Sequence, residues 1–207
     1  MTSLHHLLAP FGGKSLIEWF TDLTDLWHDT QPIKPKDISS PKGLTQWMHY
    51  KNFVVWHLEE YIRKPGVSAE ESVQVNKTID IHNTRRLEAI EQIDIWIDNV
   101  LQSAGISPAR EVEVNSETPG SIIDRLSILT LKIIHMQEQL VSNANEDEQD
   151  GDLELRMNVL EEQRSDLSSA LDKLLLDLRQ AKKRHTVYRQ FKIYNDPSFH
   201  TNDFIHH

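Results

Sequence analysis

Apolar residues recur along this chain at intervals of three and four, and five stretches sustain the recurrence far enough to predict α-helices. Leu16, Trp19, Phe20, Leu23, Leu26 and Trp27 form one stripe and predict a first helix from about Ser15 to His28. Leu44 to Lys64 reads as a second helix, rich in aromatics (Trp47, Tyr50, Phe53, Trp56, Tyr61) and ended by Pro65-Gly66. A third opens at Ser68, which with Glu71 has the spacing of a capping box, and continues to Gly105. Its stripe, Ile79, Asn83, Arg86, Ile90, Ile93, Ile97 and Leu101, holds two polar residues where aliphatics would be expected.

Thr118-Pro119 supplies an N-cap followed by proline at the first helical position, where the missing N–H costs nothing. The fourth helix that follows steps by four and three through Ile122, Leu126, Leu129, Ile133, Met136 and Leu140, the seam of a helix packed lengthwise on a neighbour. Leu153, Met157, Leu160, Arg164, Leu167, Leu171, Leu174 and Leu178 repeat that step, broken only by Arg164. The pattern predicts an all-α fold, a helical bundle of about five helices with a long antiparallel C-terminal hairpin.

What separates these stretches is polar. Residues 31–43 contain three prolines and read as an extended linker; 144–152 are acidic and read as a mobile loop; 196–207 read as an irregular tail. Tyr188, Phe191 and Tyr194 are spaced by three before Asp196-Pro197, so the last helix is expected to extend and cover either the bundle or a second subunit. No fixed period recurs, which argues against a solenoid. One domain over 1–207 is the expected organisation.

Composition narrows the chemistry. The chain has no cysteine, which excludes disulfides, thiolate metal sites and a cysteine nucleophile and fits the reducing cytoplasm. No signal peptide and no apolar run long enough to span a bilayer is evident. A formal net charge of −10 argues against nucleic acid as a partner. One local exception is the basic run Arg179, Lys182, Lys183, Arg184, Arg189 and Lys192, read mainly as the complement of a helix C-terminal dipole.

Charged residues in a helix seam must be exposed, paired or used, because an unpartnered buried charge is costly. Glu59 or Glu60, Asp80, Glu91, Asp94 and Asp124 are therefore candidates to converge inside the bundle on a divalent cation, Mg²⁺ by its preference for oxygen ligands, with Arg86 and Lys132 meeting a phosphorylated ligand. Interhelical ion pairs and solvated faces are the competing account. His57, His82 and His135 lie on predicted helices and are read as satisfied or exposed; His5, His6, His206 and His207 fall in expected flexible ends. Neither H-E-x-x-H nor E-x-x-H occurs, nor any P-loop, dinucleotide-binding or nucleophile-elbow motif. Gly12-Gly13-Lys14-Ser15 lacks the first glycine and the strand of a phosphate loop and reads as a helix start.

The segment NSETPGSIIDRLSILTLKIIHMQEQ (115–139), with VWHLEEYIR, KTIDIHNTRRLEAIEQID and YRQFKIYNDP, resembles the bacterial family labelled domain of unknown function 4254 from about Trp47 to Pro197. The resemblance implies a bacterial, all-helical protein, from a family associated with genes for sugar-transfer enzymes. The polar positions it carries over are Trp56, Glu59, Asp80, Asn83, Arg86, Glu91, Asp94, Asn115, Glu117, Asp124, Arg125, Lys132, Arg164, Asp166, Tyr188, Arg189 and Asn195. No activity comes with them. A fainter similarity, to all-α nucleotide pyrophosphohydrolases, rests on Glu88, Glu91 and Asp94, which place on one helix the spacings that family divides between two.

Three functions follow as expectations. The first is a module binding an anionic small molecule, nucleotide or sugar phosphate, or a protein partner, through a polar cluster. The second is a scaffold that dimerises without a ligand. The third is a metal-dependent phosphohydrolase using Asp80, Glu91, Asp94 and Asp124.

Overall fold

The computed structural model describes residues 4–142 and 150–187. It contains six α-helices: α1 (Leu4–Leu8), α2 (Gly13–Asp29), α3 (Pro41–Ile62), α4 (Ala69–Ser103), α5 (Pro119–Ser142) and α6 (Asp150–Arg179). A single 3₁₀ turn joins α1 to α2, and the one extended pairing among the described residues is an isolated bridge between Val114 and Arg184. The fold is all-α. The described part of the region expected to be an acidic loop begins already as helix, at Asp150; 144–149 and 196–207 lie outside the described residues, as do Tyr188, Phe191 and Tyr194.

The five predicted helices are present with small shifts at their ends. The proline-rich linker is shorter than expected, because Ser40 caps α3 by accepting a hydrogen bond from the Gly43 N–H (3.1 Å) and Pro41 takes the first helical position. Ser68 and Glu71 form the capping box of α4. α4 ends where Gly105 adopts φ +75°, a conformation open to glycine. Where His5 and His6 were expected in a flexible end, Leu4–Leu8 form α1, whose Leu8 joins Phe11 of the following turn in the core.

α5 is buried on nearly all sides. Ile122, Ile123, Leu126, Leu131 and Ile133 are each no more than 3% exposed, as a helix enclosed by its neighbours requires. It packs against α2, α3, α4 and α6. The main core gathers Leu16 and Phe20 of α2, Met48 of α3, Ile93 and Ile97 of α4, and Leu171, Leu174 and Leu178 of α6 around it. Among the described residues no helix is long and apolar enough to cross a membrane.

Two helix N-termini are tied down by carboxylates from other helices. Asp172 of α6 accepts a hydrogen bond from the Gly13 N–H of α2 (2.8 Å), and Asp94 of α4 accepts one from the Gly120 N–H of α5 (2.6 Å). A carboxylate there satisfies an N–H that the helix leaves unpaired and faces the positive end of the dipole. Both contacts need glycine for close approach. A Cβ on Gly120 would stand 2.7 Å from the Ile90 carbonyl oxygen and 2.9 Å from Asp94 Oδ1. Gly120→Ala is therefore expected to destabilise the protein by about 1–3 kcal/mol, the usual cost of overpacking. Equal urea midpoints for the two proteins would show that α4 and α5 do not approach this closely.

Candidate functional site

The polar residues of the bundle interior form a relay through four helices. Arg86 of α4 donates from Nη1 to Asn52 Oδ1 of α3 (3.2 Å), and its Nε lies 3.7 Å from Asp124 Oδ1 of α5. Asn52 Nδ2 donates to Asp124 Oδ1 and to Ser127 Oγ, each at 2.9 Å. Ser127 Oγ in turn lies 2.8 Å from His49 Nδ1, while His49 Nε2 lies 3.0 Å from Thr24 Oγ1 and 3.1 Å from the Phe20 carbonyl oxygen, both of α2. Thr24 Oγ1 donates to that same carbonyl (2.8 Å).

The chemistry assigns the protons. The Phe20 carbonyl can only accept, so His49 carries its proton on Nε2 and accepts at Nδ1 from the Ser127 hydroxyl; Ser127 then accepts from Asn52. With His49 neutral, the bonds from Asn52 through Ser127 and His49 to Phe20 are all donor-to-acceptor matches. Burial accordingly holds the His49 pKa down at about 3, its bond to Phe20 opposing the shift. Burial pushes the Asp124 pKa up, and Arg86 and Asn52 pull it back. Arg86 is left with an Nε that has no hydrogen-bond acceptor.

Arg86 and Asn52 also line a cleft of about 350 Å³ with Trp56, Glu59, Glu60, Arg63, Ile128 and Leu131. Ile128 belongs as well to a cleft of about 410 Å³ formed with Arg125, Leu129, Lys132, Gln163, Asp166 and Leu167. Trp56 and Lys132 belong to a third, about 510 Å³, with His135, Met136, Leu155, Arg156 and Val159. Shared residues make these one groove along the exposed side of α5. Most of its cations have carboxylate partners: Arg63 with Glu59 (2.7 Å), Arg125 with Glu117 (2.6 Å), Arg86 with Asp124. Lys132 is exposed and makes no hydrogen bond or ion pair among the described residues.

The sequence-predicted residues thus separate. Arg86 and Asp124 meet in the relay; Glu59, Arg125 and Lys132 line the groove. Asp94 belongs to the start of α5: it bonds Gly120 N–H and Thr118, and burial raises its pKa against those bonds. Asn115 and Glu117 hold the loop before α5. Asn115 N–H donates to the Arg184 carbonyl (2.8 Å), its Nδ2 donates to the Glu117 carbonyl (2.7 Å), and Lys183 donates to its Oδ1 (3.1 Å). Asp80 is exposed, Asn83 and Glu91 are half-buried on α4, and Arg164 is half-buried on α6; Arg189 lies outside the described residues. Asp80 and Asp94 share one helix fourteen residues apart, about 21 Å of rise, so a single ion does not reach both.

Sequence reasoning missed His49, Asn52, Ser127 and Thr24, which carry the relay. Their signal was present as polar side chains among the apolar residues of otherwise buried faces, without a spacing motif to mark them.

A family model described as a protein of unknown function, DUF4254, matches residues 42–187. The chain belongs to the DUF4254 family. No curated protein and no solved structure matches it. The DUF4254 match takes in α4, α5, α6 and nearly all of α3, and with them Asn52, Arg86, Asp124 and Lys132; α2, which supplies Phe20, Thr24 and His28, precedes it.

His49 gives this family member a specific pH dependence. Its folded pKa lies below its unfolded value near 6.5, so the unfolded chain takes up a proton that the folded one refuses: the contribution is complete above pH 6.5 and is lost as pH falls toward 3. Burial likewise lowers the His82 and His135 pKa values, with the same sign. Asp94 and Asp124, raised by burial, act oppositely, contributing below their unfolded pKa and losing that contribution as pH rises through their folded values. Between pH 6.5 and 5, His49 alone is expected to remove about 2 kcal/mol of unfolding free energy. Urea unfolding across this range should show that slope, flattened in His49→Gln; equal slopes would remove His49 as its source.

Proposed function

We propose that this protein is a binding module for an anionic small molecule of the nucleotide or sugar-phosphate class, held in the groove along α5. The observation that carries the reading is Lys132, an exposed cation with no hydrogen bond or ion pair among the described residues, which lines two of the clefts; Arg86, whose Nε lacks an acceptor, lines the third. Lys132 would meet the phosphate, and Arg86 would add donors from the groove floor. The apolar walls, Ile128, Leu131 and Trp56, suit the uncharged part of such a ligand, and the cleft volumes fall in the range of small-molecule sites. With α5 and α6 as the antiparallel hairpin implied by their four-three apolar step, the groove would run between two rigid walls. The relay supports the reading as well, since it holds Arg86 in place without neutralising all its donors.

A protein partner is the second reading. Leu155 and Val159, 62% and 45% exposed, line the same groove and would suit an apolar side chain from another molecule.

Thermal unfolding with a panel of nucleotides and sugar phosphates tests the first reading. At about 100 times its Kd, a bound ligand is expected to raise the midpoint by roughly 5–10 °C, and Lys132→Ala is expected to abolish most of the rise. No shift at millimolar concentration, or an equal shift in Lys132→Ala, would count against the groove as an anion site and leave the protein-partner reading.

A further inference from the structure

Three histidines from three helices meet beside the groove, which His135 also lines. His28 near the end of α2, His57 of α3 and His135 of α5 each place a ring nitrogen within 4.8 Å of one on each of the others. Their ring centroids form a nearly equilateral triangle, 5.4, 5.2 and 5.0 Å on a side. No other group of three or more histidines and carboxylates among the described residues comes as close.

Their hydrogen bonds fix which nitrogen of each ring keeps its lone pair. His57 Nδ1 lies 2.9 Å from the Phe53 carbonyl oxygen and His135 Nδ1 lies 2.8 Å from the Leu131 carbonyl oxygen. A carbonyl only accepts, so both rings carry a proton on Nδ1 and keep a lone pair on Nε2. His28 Nδ1 lies 3.1 Å from Glu138 Oε1, which imposes the same tautomer. All three imidazoles are thus arranged as metal-bound histidines generally are, one N–H given to a carbonyl or carboxylate and the other nitrogen free to coordinate. His135 supplies an independent sign: it is only 6% exposed, and its Nε2 is buried with no hydrogen-bond partner.

We infer that His28, His57 and His135 form a site for a divalent transition-metal ion of zinc type, bound through three imidazole nitrogens. Imidazole suits zinc and its neighbours, and an all-oxygen cage for Mg²⁺ is not what these side chains offer. Nitrogens bound to one tetrahedral ion lie roughly 3.4 Å apart, so nitrogens now within 4.8 Å of one another need to close by about 1.4 Å at most to clasp it. Glu138 beside His28 and Glu60, which faces His135 and accepts from the Trp56 indole (2.9 Å), place negative charge around the cation. Phe53 packs on the His57 ring and Trp56 on the His135 ring, with centroids 4.3 and 4.7 Å apart. Three protein ligands leave one coordination position for water or a substrate atom. The inference stands whether or not the groove binds an anion.

The full-length protein, stripped of metal by a chelator that is then removed, is titrated with Zn²⁺ by calorimetry and with Co²⁺ by visible absorption. One equivalent is expected to bind with Kd below about 10 µM and to raise the unfolding midpoint. His28→Ala and His57→Ala are each expected to weaken binding at least about tenfold and to abolish the Co²⁺ ligand-field bands. His82→Ala is expected to bind as the parent does. The His28 side chain lies at the edge of the bundle, so His28→Ala decides the matter should His57→Ala fail to fold, with circular dichroism reporting folding. No binding by the parent protein overturns the inference. So does binding that survives His28→Ala with unchanged affinity, or that is lost only when His5-His6 or His206-His207 are replaced.

Discussion

Asp124 stands in a helix interface from which water is largely excluded, and an unpaired carboxylate there would cost several kcal/mol. Its partners therefore have to be supplied by other helices, and this requirement fixes the register of the bundle. Asn52 fits because its amide gives two N–H bonds and accepts one: it serves Asp124 and Ser127 while its oxygen takes the bond from Arg86. Ser127 passes the polarity to His49, and His49 ends it on a carbonyl of α2. Sliding any of α2, α3, α4 or α5 by a turn would strand one of these groups, so the relay specifies a single packing where apolar contacts alone would tolerate several.

A second constraint sorts the remaining polar residues. The buried starts of α2 and α5 must still satisfy their first N–H groups, and this fold does so with carboxylates borrowed from α6 and α4. Asp94 is therefore occupied: its oxygens close the start of α5, and glycine at 120 is what lets it come near. Asn115 is occupied in the same sense, joining the loop before α5 to the chain after α6. What remains for binding is what these tasks leave over, chiefly the groove cations and the three histidines.

The helices were legible because each presents its apolar residues with local periodicity, and the starts at Ser68 and Thr118 because capping is encoded within four residues. Arg86 and Asp124 were legible as candidates for the same reason, each breaking an apolar run. Their partners were not: His49 and Asn52 sit in an aromatic-rich helix and Ser127 in one buried on nearly all sides, where no periodic stripe makes a polar residue conspicuous. The carboxylate set expected around a cation failed to distinguish residues on one helix from residues at one point; Asp80 and Asp94 share the first property and not the second. The histidine triangle lies at the opposite extreme. Its members are separated by 29 and 78 residues, so nothing local links them, and only tertiary packing reveals that they converge.

Histidine plays two distinct parts in this bundle, and the difference lies in what each ring nitrogen touches. His49 uses both nitrogens against protein groups, which makes it a fixed part of the core with no capacity left for a ligand. His57 and His135 spend one nitrogen on a carbonyl a turn earlier in their own helices, a bond available at nearly any helical position, so the second nitrogen is free by geometry rather than by accident of packing. Trp56 connects this region to the groove: its ring stacks on His135 with centroids 4.7 Å apart, its indole N–H holds Glu60, and its side chain lines two of the three clefts. A displacement of the His135 ring must move that wall, because close-packed aromatic rings cannot shift independently. The groove and the histidines are therefore mechanically one region, even though the chemistry each offers is different.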